Sequence, residues 1–119
     1  MSYDITLKDP ITGRTIEFDS PHYLQGGNCV IGGTTAAWLN VTYNYGKSYY
    51  QTIDKDKGIR AIYGMTGAES IPALKRAIAQ LGDDVSDNYW DSTEGNAKRA
   101  LINLLAFAQL RPDGIWDGD

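Results

Sequence analysis

The chain has 119 residues, a formal net charge of −4 and 42% apolar residues. That length defines one domain, able to bury roughly two thirds of its unfolded surface without help from a disulfide or a metal. Cys29 is the only cysteine, which excludes an intrachain disulfide, and the negative charge disfavours a nucleic-acid binder that works by neutralising phosphates.

The opening residues, MSYDITLKDP, lack the basic start and apolar run of a signal peptide. The most apolar stretch, Leu101 to Leu110, is interrupted by Asn103 and Gln109 and is far short of a membrane span. These features predict a soluble, cytoplasmic protein with no membrane partner. Charge is unevenly spread. Residues 1–82 hold eight Lys or Arg against seven Asp or Glu, whereas residues 83–119 hold three against eight. An acidic C-terminal third reads first as a solvated surface and second as a docking face for a basic partner.

In chain order, Ile5 and Leu7 alternate with polar residues, Asp9-Pro10-Ile11-Thr12-Gly13 forms a turn, and alternation resumes over Thr15 to Phe18. This predicts a β-hairpin, with Gly13 supplying a positive φ. Asp19-Ser20-Pro21 breaks the pattern, and short extended pieces are expected at 22–24 and 28–31, with glycine bends between them. Ala37, Leu39, Val41, Tyr43 and Tyr45 share one face of a predicted strand over 36–45, although Thr34 to Ala37 could instead open a helix.

A short helix is predicted at 47–53, an exposed turn at 54–58, and one amphipathic turn through Ile59, Ile62 and Tyr63. Ile71, Leu74, Ile78 and Leu81 form the stripe of a longer helix over about 70–82. Thr66 and Ser70 are both candidate N-caps. Ser70 is preferred because it leaves Pro72 in the first turn, and Gly82 is placed as the terminating glycine. Asp91 or Ser92 caps a last helix over about 93–110, which turns Ala97, Leu101, Leu104, Leu105 and Ala108 inward and Lys98, Arg99 and Asn103 outward. Pro112 stops it. The tail pair Ile115-Trp116 is expected to dock on the body. Strands followed by helices define a single α+β domain over 1–119, with an N-terminal antiparallel hairpin or sheet and two main C-terminal helices.

Chemistry-bearing residues are sparse. His22 and Cys29 cannot make a zinc set, and Asp83, Asp84, Asp87 and Asp91 lack the spacing of a calcium loop, so no metal and no cofactor are expected. His22 is the only imidazole on which a nucleophilic site could be built, and no cation flanks Cys29 to activate it. An ordinary strand position suits Cys29 better. No catalytic set is therefore assigned.

Gly26-Gly27 and Gly32-Gly33 match neither a dinucleotide fingerprint nor a P-loop. Bending a sheet accounts for both, but Gly32, Gly33, Thr34 and Thr35 could also expose successive backbone N–H groups and hydroxyls to an anion. Nearby, Tyr43, Tyr45, Tyr49, Tyr50 and Tyr63 interleave with Asn40, Asn44, Lys47 and Arg60. Core packing explains most of these rings, while stacking on a nucleobase is the functional alternative. The expected ligand-binding set is Gly32, Gly33, Thr34, Thr35, Asn40, Asn44, Tyr45, Lys47 and Arg60.

Three stretches carry a resemblance. Trp38 to Tyr45 (WLNVTYNY), Tyr63 to Pro72 (YGMTGAESIP) and Thr93 to Leu101 (TEGNAKRAL) with the Pro112-Asp113-Gly114 tail are similar to a family of small proteins borne by bacteriophages and prophages. The resemblance spans nearly the whole chain but supplies no activity and no catalytic residues. It implies a host-cell cytoplasmic setting and an accessory, counter-defence role. The expected function is thus a non-enzymatic protein that sequesters a small nucleotide-type ligand, without direct nucleic-acid binding and with homo-oligomerisation open. The alternative is an inhibitor of a host defence protein, such as a CRISPR effector, that docks through its acidic C-terminal third.

Overall fold

A computed structural model describes the backbone of residues 1–25 and 28–119, and the side chains of residues 1–22 and 33–119. The elements are β1 (Ser2–Lys8), β2 (Glu17–Gln25), β3 (Asn28–Ala36), β4 (Trp38–Thr42), α1 (Gly46–Thr52), α2 (Gly67–Gln80), α3 (Glu94–Leu110) and β5 (Ile115–Gly118). Single 3-10 turns occupy Tyr43–Tyr45 and Gly58–Ile62. Antiparallel strands followed by helices make this the α+β domain that the sequence indicates. The bends assigned to Gly26-Gly27 lie outside the described residues, as does the side chain of Cys29.

Strand β1 is central to an antiparallel sheet ordered β4-β1-β5. Its alternation sends Tyr3, Ile5 and Leu7 into the core and Ser2, Asp4, Thr6 and Lys8 outward. Leu39 and Val41 of β4 and Trp116 of β5 extend this inner face, which meets Leu74 and Ala77 of α2 and Leu101 and Leu104 of α3 in one buried cluster. Burying a side chain such as Ile5 or Leu39 contributes about 1.5–3 kcal/mol.

Pairing differs from the predicted hairpin. The turn forms, with Asp9 Oδ1 accepting from the Ile11 and Thr12 amides and Gly13 at φ +71°. The arms pair at their base, where Asp9 N–H donates to Arg14 O, Lys8 bridges Thr15 and Ile16 N–H donates to Leu7 O, but there Ala37 enters between them, accepting from Leu7 N–H and donating to Ile16 O. The second arm then leaves to pair with β3. It continues through Pro21, because β2 spends three more residues than β3 between the pairs Glu17↔Ala36 and His22↔Thr34. Such a bulge tolerates a residue that cannot donate to the ladder.

The predicted strand over 36–45 stops at Thr42, whose hydroxyl accepts from the Asn44 amide and turns the chain into helix. Tyr45 stays buried, but from a 3-10 turn. Helix α2 begins at Thr66, not Ser70. Thr66 and Glu69 form a reciprocal capping box, and the Gly67 and Ala68 amides donate to Gly114 O and Pro112 O. With its first-turn donors satisfied from the tail, the helix carries Pro72 inside it. Gly82 is not a left-handed cap: Leu81 ends the helix in extended backbone, and Gly82 N–H donates to Glu94 Oε1. Thr93, rather than Asp91 or Ser92, caps α3.

The loop between α2 and α3 is built on Asn96. Its side chain donates to Asn88 O and Asp91 O and accepts from the Ser86 amide, at 3.1 Å each. Among the described residues, no helix is long and apolar enough to cross a membrane.

Candidate functional site

The structure does not gather the predicted ligand-binding residues around one cavity. Asn40 lies on the outer face of the sheet, where its amide donates to Ser2 Oγ and Asp4 Oδ1. Arg60 belongs to the opposite face, with its guanidinium 4.8 Å from the Tyr3 ring centroid and 5.5 Å from that of Tyr43. Its Nε donates to Asp119 O and its Nη2 to the Tyr43 hydroxyl. Asn44 Nδ2 donates to Trp90 O, and Lys47 is exposed on α1.

Most of the tyrosine cluster is core. The Tyr45 hydroxyl donates to Tyr89 O, Tyr49 donates to Ala97 O at 3.0 Å, and Tyr89 accepts from the Thr42 amide. Burial raises the Tyr45, Tyr49 and Tyr89 phenols, which are therefore neutral donors at physiological pH.

Gly32 falls within β3, and Gly33 takes a left-handed φ of +66°, which a side chain would strain. Thr34 Oγ1 accepts from the Ala36 amide, while the Thr35 hydroxyl donates to Glu17 Oε2 at 2.5 Å. A carboxylate held at this position repels an anion. What this stretch adjoins is more informative, because its partner strand β2 forms one wall of a cavity.

That cavity, about 490 Å³, lies between β2 and α3. Its apolar surface comes from Phe18 on β2 and from Ala106, Phe107 and Leu110 on α3. The rings meet at 5.2 Å between the Phe18 and Phe107 centroids and 5.0 Å between His22 and Phe107. His22 Nε2 donates to Ala36 O at 2.8 Å, which fixes the orientation of the imidazole. The three-residue excess of β2 brings Asp19 and Ser20 to the rim, beside Glu17.

Asn103 also lines this cavity, and its Nδ2 is buried without a hydrogen-bond partner. Leaving such a donor unmet costs about 1–3 kcal/mol. Helical periodicity turns Asn103 outward, whereas the structure leaves it only partly exposed. Its one signal in the sequence is that it interrupts an otherwise apolar helical run.

Arg111 closes one end of the cavity. Its guanidinium makes a two-bond clasp with Asp113, at 2.9 Å each, and a further contact with Asp9 at 3.2 Å. The Arg111 hydrogen bond holds the Asp113 carboxyl below its ordinary range. Asp9 is lowered too, first by the Thr12 and Ile11 amides and then by Arg111.

Volume, ring lining and a few convergent polar groups are the attributes of a small-molecule site. The partly exposed Phe18 and the α3 side chains supply apolar surface, Glu17, Asp19 and Ser20 offer acceptors at the rim, and the Asn103 donor lies buried within the wall. Among the described residues, no group of three or more His, Cys, Asp or Glu side chains is placed to hold a metal ion. Comparison of the chain with family models, with curated proteins and with solved structures returns no match.

Proposed function

We propose that this protein is a non-catalytic binder that sequesters a small nucleotide-type ligand, seated base-first between β2 and α3. The observation that carries this reading is the buried, unpartnered Asn103 amide in a ring-lined cavity. A polar group that costs stability, where a leucine would satisfy the helix, is the kind of feature that a binding site explains. A heterocycle supplies both the flat face and the acceptor edge that the cavity lacks. The resemblance of three stretches to phage-borne proteins is what supports an accessory role against host defence, in a host-cell cytoplasm, as the setting of this proposal.

The test is calorimetry and thermal shift against nucleosides, nucleotides, cyclic nucleotides and ADP-ribose-type compounds, with wild type and Asn103→Leu. The expected result is a ligand that raises Tm in the wild type and binds the variant about 5- to 100-fold more weakly, from the loss of one buried hydrogen bond. The unliganded variant should melt at or above the wild-type temperature, because the orphaned donor is gone. Silence across the panel, or equal binding by both proteins, would sink the reading.

One observation favours a second reading. Trp90 is 56% exposed on the loop that Asn96 clamps, packed edge-on against Tyr89 at 4.9 Å, with Asp83, Asp84 and Asp87 exposed close by in sequence. A rigidly presented tryptophan with an acidic surround suits a basic protein partner such as a host defence complex. Asp83 holds Lys98 and Asp84 holds the Gly95 amide, so Asp87→Lys and Trp90→Ala are the informative variants. This reading predicts that both lose a basic host protein captured by the wild type. Retention of that protein by both variants counts against it.

A further inference from the structure

Resting on the ligand-binding reading above, and narrowing its nucleotide-type ligand to the nucleoside alone, we infer that the cavity between β2 and α3 selects an uncharged nucleoside over the phosphate esters of the same nucleoside. The charges around it carry the argument. The rim presents two carboxylates, Glu17 and Asp19, on the wall opposite Asn103. Among the described residues of the lining, the guanidinium of Arg111 is the one permanent cation, and it is already held by two carboxylates, Asp113 and Asp9. A phosphate entering here finds no uncommitted permanent cation in that lining, and it meets like charge at the rim. Burial between ring walls also deprives it of water.

A ribose is complementary to the same groups. Carboxylates only accept hydrogen bonds, and a vicinal diol offers two O–H donors. Glu17 is oriented for this, because the Thr35 hydroxyl occupies Oε2 from the side of β3. The paired roles are then a base packed against the partly exposed Phe18, on the side of Asn103, and sugar hydroxyls towards Glu17 and Asp19. The outer face of the sheet and the acidic loop before α3 offer no comparable combination of enclosure and unmet donor.

Calorimetry with adenosine, guanosine, cytidine and uridine, each against its 5′-monophosphate, tests this in the wild type, Glu17→Gln and Asp19→Asn. Thermal melts without ligand check that the variants are folded. The expected result is at least one nucleoside that binds about tenfold or more tightly than its monophosphate. That ratio should narrow in both variants through improved monophosphate binding. Equal affinities, tighter monophosphate binding, or a ratio unmoved by both substitutions overturns the selectivity while leaving the cavity a ligand site. Failure of every nucleoside and every monophosphate to bind overturns the selectivity, and silence of the cyclic and ADP-ribose-type compounds as well overturns the reading beneath it.

Discussion

Replacing Trp116 with alanine is expected to destabilise the protein by about 4 kcal/mol, a large part of the 5–15 kcal/mol typical of a domain. Trp116 is among the largest fully buried side chains. It sits on β5 opposite Leu7, and its backbone joins the sheet to the segment before α2, donating to Met65 O and accepting from the Gly64 amide. Its indole Nε1 donates to Ser70 Oγ at 2.8 Å, inside the first turns of α2. Truncation therefore opens a cavity at the junction of sheet and helix and removes a buried hydrogen bond. Thermal melts followed by circular dichroism should show a fall in Tm of more than about 10 °C. Trp116→Phe keeps most of the volume and should lose only about 1–2 kcal/mol. A Trp116→Ala protein that melts within 3 °C or so of the wild type would remove this residue from the core argument.

The second large effect is expected at Gly95, in the first turn of α3. Glycine to alanine within a helix ordinarily stabilises, by up to about 1 kcal/mol. Here a Cβ would lie 2.6 Å from Val85 N, 2.7 Å from Asp84 C and 2.9 Å from Asp84 N. All three atoms are backbone, so no rotamer can relieve the clash. The loop must move, and with it the Asp84 carboxylate that accepts from the Gly95 amide. Overpacking of this kind costs about 1–3 kcal/mol, which reverses the usual sign. Gly82→Ala is the matched control, because the nearest atoms to its Cβ are side-chain atoms at 3.6 Å. Denaturant titrations should place Gly95→Ala well below the wild type and Gly82→Ala within about 0.5 kcal/mol of it. Equal midpoints for the two variants would refute the close approach of loop and helix.

The pattern of these contacts explains which parts of the fold are legible in the sequence. Helix α3 is, because Ala97, Leu101, Leu104 and Ala108 fall on one stripe and Pro112 ends it. Both signals are local. The start of α2 is not, because Pro72 weighs against Thr66 until Gly114 and Pro112, more than forty residues later, accept the first amides. The alternation of β1 marks it as a strand with Ile5 and Leu7 inward. It cannot show that β4 and β5 take most of its length and leave the nearer Thr15–Phe18 arm only its last two residues. The Ile115-Trp116 pair reads as docked, and the structure specifies the docking as an edge strand.

The candidate site follows the same division. Glycines and tyrosines draw attention in sequence because they cluster locally, and the structure engages Tyr45, Asn40, Asn44 and Arg60 with separate partners. The cavity is assembled from residues 17–22 and 103–111, two segments with no shared local signal. Asn103 was visible only as an interruption of an apolar run, and an outward placement satisfies that pattern equally well at the level of periodicity.

Because β1 is central, its hydrogen-bonding edges are completed by strands made much later, with Lys8 and Asp117 joined across 109 positions. During synthesis the β1 segment leaves the ribosome with Ile5 and Leu7 uncovered, and β4 can shield only one of its edges. The other is paired only by β5, so a chain cut before Ile115 is expected to present an unpaired strand edge and to aggregate where the full chain does not.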